Sequence, residues 1–303
     1  MTEWMNRFYH ILRLQVLKWG YTHVYTGRSI LLLALQKMIR FAFYLRTPRP
    51  SSHSMQEMAR YRGYGDGKIA LVLGNGPSLQ KLIPSQVREN FDDVFVVNGF
   101  HNLQIAEHVN PSFYCLSDPL DDSELNDEKS PERVLLSRYF KENLNCIRLL
   151  PHTWEFESHS IPNQALYFDD REQTIFSRNI SPLKPRAYTS VTLYKALAIA
   201  CFMGYKEIFI LGIDNTEFLG YCGRPDNLTV FKETIYAPLK EGRSYSSGNE
   251  VLPFKFGMAG RMQSYAHLFG DLDLFKDYPI QNLDPSSLTD AFPKILHHPA
   301  VNS

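Results

Sequence analysis

The chain of 303 residues is 44% apolar, 21% charged and 13% aromatic, a composition that excludes disordered and low-complexity proteins. Its 32 basic and 32 acidic residues balance, which predicts no general attraction to nucleic acid. The balance hides an asymmetry, because residues 1–49 carry eight basic residues and one acidic residue. A head of net charge +7 therefore precedes a body of net charge −7. The four cysteines form no C-x-x-C pair, which predicts buried free thiols in a reducing compartment, without a zinc site.

Residues 1–54 are predicted to be a basic, amphipathic helical extension that ends in a linker. Trp4 and Phe8 recur near helical spacing with Arg7 between them, a pattern typical of a helix in an anionic membrane interface. The segment lacks the order of features of a signal peptide and the apolar length of a membrane span. We therefore expect a cytoplasmic protein that binds the cytoplasmic membrane peripherally through residues 1–49. An amphipathic hairpin packed on the body, or on another subunit of a homo-oligomer, would give the same pattern.

Residues 55–303 alternate short apolar runs with helical segments. Strands are predicted at 69–73, 94–97, 113–116, 146–150, 165–168 and 208–211, and helices at 77–83, 131–143, 190–203 and 258–275. This alternation predicts an α/β fold with a mostly parallel sheet flanked by helices. Ligands of such sheets bind beyond the carboxyl ends of the strands, so we searched those positions for chemistry.

A glycine-rich loop, Gly74-Asn75-Gly76-Pro77-Ser78, directly follows the first strand. Its glycines allow a tight turn and a close backbone approach by a ligand. Pro77 suits the first turn of a helix, whose free N–H groups favour a phosphate. The loop has neither the third glycine of a dinucleotide fingerprint nor the Gly-Lys pair of a Walker loop. It is either a phosphate cradle or an ordinary strand–helix turn.

Polar residues also follow two later strands or open a helix. Asn98 stands where an NAD-binding protein has an acidic residue, and its amide could bind a phosphate oxygen or a sugar hydroxyl. Ser190 and Thr192 open a helix, and Gly212 and Asp214 follow the next strand. Turn formation and helix capping would also explain these residues. The alternative is a second wall of the same cleft, in which Asp214 binds a ribose or a metal, or accepts a proton.

Together, the loop at 74–79, Asn98 and the stretch 204–214 resemble the bacterial sialyltransferases of glycosyltransferase family 42. They resemble equally the set of 6-hydroxymethylpterin diphosphokinase MptE-like proteins. The resemblance covers about residues 68–290 and implies a Rossmann-like nucleotide-binding domain that uses a CMP-sugar without a metal cofactor. The positions that match the nucleotide site are Asn75, Gly76, Asn98, Ser190, Thr192, Gly212 and Asp214.

The leading interpretation is a glycosyltransferase of surface polysaccharide or lipooligosaccharide assembly. It would transfer a nucleotide-activated sugar, with a CMP-sugar favoured, to a glycan or a lipid-linked acceptor. The stretch 254–260 lacks the histidine that serves this family as general base. The candidate bases are therefore Asp214, Glu217 and His101. Tyr221 matches a tyrosine that assists departure of the phosphate.

Two alternatives belong to other functional classes. An ATP-dependent diphosphokinase would need Mg²⁺, which the acidic residues of the stretch 117–122 could bind. A non-catalytic nucleotide-binding protein would bind ligand without turnover, and the missing histidine favours that interpretation.

Overall fold

A computed structural model describes residues 38, 42, 44–117, 131–154, 164–173, 177–214, 221–223, 228–231, 238–240, 252–253 and 270–302. For residues 131–133, 221–223, 228–231 and 252–253 it describes the backbone alone. Most of the predicted helical extension lies outside these residues, as do Glu217, the acidic stretch after Ser117 and the stretch 254–260.

The described chain contains ten strands in two sheets. In chain order they are β1 Ile69–Leu73, β2 Asp93–Val97, β3 Phe113–Cys115, β4 Ile147–Pro151, β5 Ala165–Phe168, β6 Glu207–Leu211, β7 Tyr221–Gly223, β8 Leu228–Phe231, β9 Leu252–Pro253 and β10 Ile280–Asn282. Seven of them form one sheet in the order β10-β6-β1-β2-β3-β4-β5, and all of its pairings are parallel. Strands β7, β8 and β9 form a small antiparallel sheet.

The predicted parallel sheet is confirmed, and each of the six predicted strands agrees with the structure to within one residue at either end. Their apolar runs identified them because a parallel strand is covered on both faces. All five residues of β2, for example, are buried. Strand β10 was missed because three residues with a central Gln281 give neither an apolar run nor an alternating pattern.

Four α-helices are described over their full length: α1 Ser52–Ala59, α2 Pro84–Asn90, α3 Pro131–Glu142 and α4 Thr192–Met203. The described residues 44–46 and 270–272 are also helical. Helix α4 is apolar almost all round, and all but one of its 12 residues are buried, as expected of a helix inside a core. It packs across β1, β2 and β3 and ends at Gly204, whose φ of +79° is the left-handed conformation of a glycine C-cap.

The helix predicted at 77–83 is shorter than expected. A 3₁₀ turn spans Pro77–Lys81, and α2 begins only at Pro84. Pro84 donates no backbone hydrogen bond and disfavours a helical conformation in the preceding residue, so the two helical pieces cannot merge. The predicted helix at 131–143 is confirmed as α3. Of the helix predicted at 258–275, the described part is α-helical at 270–272 and continues as a 3₁₀ turn at Asp273–Phe275.

The segment predicted as a linker contains the start of α1. Ser51 caps this helix by accepting a hydrogen bond from the Ser54 backbone N–H at 3.1 Å, and Met58 in its last turn is fully buried. The Pro48 carbonyl lies 2.9 Å from Nε2 of His152, which follows β4. Serine and proline are common in linkers and also at helix starts, so composition alone could not separate the two.

The two faces of the sheet bury two separate cores, so the domain has three layers. Alternate residues of β1 divide between them: Ala70 and Val72 face α4, whereas Leu71 and Leu73 face the side covered by α2 and α3. The thiols of Cys115, Cys146 and Cys201 are buried and free, as predicted. Among the residues described, no helix has the length and apolar character needed to cross a membrane.

The strand order reverses direction at β1. From β1 the chain adds β2 to β5 on one side, and it then returns to place β6 and β10 on the other. In open parallel sheets this reversal opens a crevice at the carboxyl ends of the strands. The residues that follow β1, β2, β3 and β6 meet at this edge.

Candidate functional site

The loops that follow β1 and β6 cross in direct backbone contact. The Gly74 N–H donates to the Leu211 carbonyl at 2.8 Å, and the Gly76 N–H donates to the Gly212 carbonyl at 3.0 Å. A Cβ atom on Gly74 would lie 2.2 Å from the Gly212 oxygen. Gly212 itself has a φ of +77°, a conformation that favours glycine. The close approach that the sequence predicted at this loop is therefore made by another loop of the chain.

Asp214 caps the 3₁₀ turn that follows β1. Its two carboxylate oxygens lie 3.0 and 3.3 Å from the Ser78 backbone N–H, and a Cβ on Gly76 would lie 2.0 Å from one of them. Burial raises the pKa of the Asp214 carboxyl, although the hydrogen bonds from Ser78 oppose the shift. Because Gly74, Gly76 and Ser78 already direct their N–H groups to this second loop, the turn keeps few donors for a phosphate.

Asn98, directly after β2, has an unusual backbone conformation. Its φ of +40° makes it the only non-glycine residue with a positive φ in the described part of the chain. Its side-chain amide donates to Oγ1 of Thr192 at 2.9 Å and accepts a hydrogen bond from the Ser117 backbone N–H at 3.2 Å. The hydroxyls of Ser117 and Thr192 lie 2.7 Å apart. These three residues form one group, the Asn98–Ser117–Thr192 cluster, which joins the ends of β2 and β3 to the start of α4.

Ser117 is a site residue that the sequence interpretation missed. It follows β3 as Asn98 follows β2, so its position at the same edge of the sheet was the available signal. Asn75 joins the loop after β1 to the end of β2, since its amide donates to the carbonyl of Val97, the last residue of β2, at 3.2 Å. The buried Oδ1 of Asn75 has no hydrogen-bond partner among the described residues.

The N-terminus of α4 supplies free hydrogen-bond donors beside this cluster. Val191 precedes the helix and provides no side-chain cap. The N–H groups of Tyr194 and Lys195 both donate to the Val191 carbonyl, whereas those of Thr192 and Leu193 have no acceptor within the described ranges. Such donors, together with the helix dipole, favour an anion.

Of the other predicted catalytic residues, His101 alone has a described side chain, and it is buried. His101 is 5% exposed, its Nδ1 lies 2.9 Å from the Tyr114 hydroxyl, and its ring packs against Tyr139. The backbone of Tyr221 belongs to β7 in the small sheet, and Glu217 falls outside the described residues. Ser190 is exposed just ahead of α4.

A buried ionic network occupies the same edge beyond β5 and was not predicted. Asp170 binds Nζ of Lys195 at 2.9 Å and Nε of Arg186 at 3.0 Å. Lys195 lies one turn after Thr192 in α4 and is 1% exposed. Burial lowers the pKa of the Lys195 ammonium, and Asp170 opposes that shift. The network balances charges beneath the helix start, and its sequence signal was the acidic pair that directly follows a predicted strand.

A cavity of about 730 Å³ lies at the other end of α4. Ala198, Cys201 and Phe202 form its helical wall, and none of the predicted site residues lines it. At a rise of about 1.5 Å per residue, this wall is roughly 9–15 Å along the helix from Thr192. Within the described residues, no group of His, Cys, Asp and Glu side chains is arranged to hold a metal ion.

No protein-family model matches the chain, and no curated protein sequence matches it. Among solved structures, the chain is similar to the sialyltransferase CstII from Campylobacter jejuni in complex with the substrate analogue CMP-3FNeuAc, at 17% identity and a TM-score of 0.43, covering 78% of this chain and 89% of that one. The CST-II complex with CMP and a trisaccharide acceptor gives 15% identity and a TM-score of 0.43 over the same shares of the two chains. The monofunctional alpha-2,3-sialyltransferase Cst-I from Campylobacter jejuni gives 14% identity and a TM-score of 0.39, covering 75% of this chain and 80% of that one. These TM-scores are below 0.5, so the likeness by itself establishes neither an activity nor a ligand for this chain.

The sheet order and the helices on both faces define the class of the protein. It is an α/β protein of the Rossmann-like type, with a seven-stranded parallel sheet and its polar residues gathered at the strand-order reversal.

Proposed function

We propose that this protein is a glycosyltransferase that uses a nucleotide-activated sugar. The observation that carries the proposal is the Asn98–Ser117–Thr192 cluster beneath the open N-terminus of α4, at the edge where Rossmann-like sheets bind nucleotides. A CMP-sugar is the favoured donor because the loop at 74–79, Asn98 and the stretch 204–214 resemble glycosyltransferase family 42. The reaction would serve surface polysaccharide or lipooligosaccharide assembly, with a glycan or lipid-linked acceptor.

The chemistry of sugar transfer from a nucleotide places negative charge on the departing phosphate. The N–H groups of Thr192 and Leu193, which have no acceptor among the residues that the structure describes, and the dipole of α4 would stabilise that charge. Asn98 adds a neutral amide, which does not repel a phosphate as a carboxylate would. The phosphate is thus assigned to the start of α4 and not to the glycine loop after β1, where Asp214 already occupies the end of the turn.

The acceptor hydroxyl needs a base, and Asp214 is the described candidate with the supporting environment. Burial raises the pKa of its carboxyl toward the range in which a general base works. His101 is less suitable because its ring is enclosed with Tyr114 and Tyr139.

Ligand-dependent thermal unfolding tests the proposed donor. CMP, UDP, GDP and ATP would each be added to the full-length protein, with and without Mg²⁺. CMP should raise the melting temperature most, and without Mg²⁺. Stabilisation by ATP that requires Mg²⁺ would instead favour phosphoryl transfer, and no stabilisation by any nucleotide would contradict the proposal.

A matched pair of serines, one at each end of β3, tests the location. Ser117→Ala removes a hydroxyl from the cluster and should weaken CMP binding about fivefold, since one hydrogen bond contributes about 1 kcal/mol. Ser112 lies just before β3, at the opposite edge, where its hydroxyl accepts from the Val94 N–H at 3.3 Å. Ser112→Ala should leave the CMP dissociation constant unchanged. Equal affinities of the two variants would contradict the assigned site.

The basic head supports a peripheral location on the cytoplasmic membrane. Its net charge of +7 over residues 1–49 should attract anionic vesicles, with about 1 kcal/mol for each basic residue near the surface. Co-sedimentation with phosphatidylglycerol vesicles should be strong at low salt and weak at high salt. A full-length protein that ignores these vesicles at low salt would contradict the membrane proposal and leave the donor site unaffected.

A further inference from the structure

The left-handed conformation of Asn98 needs a structural cause. Asparagine adopts a positive φ more readily than other non-glycine residues, yet a φ of +40° is uncommon and is kept where the surroundings hold it. The side chain of Asn98 is bonded to Ser117 and Thr192. A separate contact holds its backbone carbonyl.

The hydroxyl of Tyr114 acts on the Asn98 backbone directly. Tyr114 is the central residue of β3 and fully buried, and its hydroxyl donates to the Asn98 carbonyl oxygen. The Tyr114 hydroxyl oxygen in turn accepts a hydrogen bond from the His101 backbone N–H at 3.1 Å. Asn98 and His101 belong to the same 3₁₀ turn, Asn98–Asn102, so one hydroxyl binds both parts of that turn.

The proton positions in this contact follow from counting donors. A tyrosine hydroxyl has one proton, and the Asn98 carbonyl can only accept. Since the Tyr114 proton goes to that carbonyl, Nδ1 of His101, 2.9 Å from the Tyr114 oxygen, must donate its own proton. His101 therefore contributes two donors to Tyr114 and orients its hydroxyl toward Asn98.

The tyrosine ring is itself fixed by its neighbours. It packs against Tyr139 at a centroid distance of 5.8 Å and against Phe140 at 5.3 Å, both in α3. A ring enclosed in this way cannot swing its hydroxyl away from Asn98 without disturbing the core.

We propose that Tyr114 is a positioning residue of the nucleotide site, oriented by His101, which holds Asn98 in its left-handed conformation so that the amide reaches Ser117 and Thr192. This inference rests on the proposed function, because the site it positions is the proposed donor site. It gives His101, a candidate base in the sequence, a positioning role.

Removal of one hydroxyl tests the assignment with a close control. Tyr114→Phe keeps the ring and loses the bond to Asn98. Tyr139→Phe removes a hydroxyl from the same aromatic group, one that donates to the Val109 carbonyl at 3.4 Å and does not touch Asn98. Tyr114→Phe should raise the CMP dissociation constant at least tenfold, and Tyr139→Phe should change it less than twofold. Urea unfolding of both variants shows whether the fold is kept.

A second background separates positioning from a general structural effect. Glycine adopts a positive φ without strain, so Asn98→Gly removes the need for the tyrosine hydroxyl. In the Asn98→Gly background, the further change Tyr114→Phe should alter CMP affinity less than twofold. A persistent tenfold effect there, or unchanged CMP affinity of the single variant Tyr114→Phe, would overturn the positioning role alone. Failure of the wild-type protein to bind any of the four nucleotides would overturn the proposed function together with this role.

Discussion

Gly76 offers a quantitative test of the crossing between the loops after β1 and β6. Its φ of −71° and ψ of 164° are open to any L residue, so the backbone conformation does not require glycine there. Glycine is required there by the lack of space, because an added Cβ would lie 2.0 Å from Oδ2 of Asp214 and 2.7 Å from the Gly212 oxygen. Real Cβ contacts shorter than 3.0 Å essentially do not occur, so Gly76→Ala must displace both neighbours.

The expected loss of stability has two parts. The Asp214 carboxylate must retreat by about 1 Å, which breaks its 3.0 Å bond with the Ser78 N–H. A hydrogen bond to a charged group contributes about 1.5–3 kcal/mol. Displacement of the Gly212 backbone adds the cost of overpacking, about 1–3 kcal/mol. Gly76→Ala should therefore lower the free energy of unfolding by about 2.5–6 kcal/mol, a large share of the stability of an ordinary domain.

Urea unfolding at pH 7 measures this effect, with two comparisons. In an Asp214→Ala background the first part is already lost, so Gly76→Ala should cost about 1–3 kcal/mol there. Gly270→Ala is the control, because a Cβ at that position meets nothing within 4 Å, and its stability should be unchanged or slightly higher. A Gly76→Ala protein within about 0.5 kcal/mol of wild type, a change typical of surface substitutions, would refute the crossing as described.

Three further predictions concern the rest of the edge and the N-terminal segment. Asp214→Asn keeps the shape of the side chain and one acceptor oxygen but removes the proposed base. It should lower kcat at least about 10²-fold with little change in the nucleotide Kd. Weaker nucleotide binding with turnover kept at saturation would instead assign the carboxylate to the ribose. Burial raises the pKa of Asp284, but hydrogen bonds, the strongest from Lys81 at 2.7 Å, hold that pKa below its usual value. Lys81→Met should therefore cost about 1–3 kcal/mol at pH 7, and this difference should disappear as the pH falls below about 3.9; an equal difference at pH 3 and pH 7 would contradict the ion pair. Deletion of residues 1–43 should leave the Tm within about 2 °C of the full-length value. Deletion of residues 1–54 removes the cap and first turn of α1 and should lower the Tm by about 2–6 °C. Equal Tm values of the two truncated proteins would show that α1 does not stabilise the body.

The sheet was predictable because its strands carry their own signal. A parallel strand buried on both faces needs an apolar run of about its own length, as in Ile69–Leu73 and Glu207–Leu211. Strand Ile280–Asn282 escaped because it pairs with one strand alone at the edge and needs no such run. The 3₁₀ turn and helix after β1 were merged, since helical periodicity does not show where a proline divides two short pieces.

The location of the site could be predicted from the sequence, but the hydrogen-bond partners of its residues could be predicted only in part. Polar residues after consecutive parallel strands must meet, so Asn98 and Thr192 were found from the pattern of elements. Their partner Ser117 was not, because a single serine after a strand resembles any loop residue. That the Asp214 carboxylate reaches the turn at Ser78, 136 positions earlier, is a consequence of tertiary packing that no local pattern contains.

Two helix starts face the edge where the strand order reverses, and they differ in the charge of the side chains bound to them. At the 3₁₀ turn after β1, the carboxylate of Asp214 already provides the negative charge that the free N–H groups attract. At the start of α4, Asn98 and Thr192 contribute neutral side chains, and the Asp271 carboxylate just ahead of the helix accepts from the Thr189 N–H at 2.6 Å. The N–H groups of Thr192 and Leu193 have no acceptor in the described part of the chain. An incoming phosphate would be repelled at the first position and stabilised at the second. A glycine-rich loop after the first strand therefore need not be the phosphate site of a Rossmann-like protein; the charge of the residues around each helix start decides which one an anion can occupy.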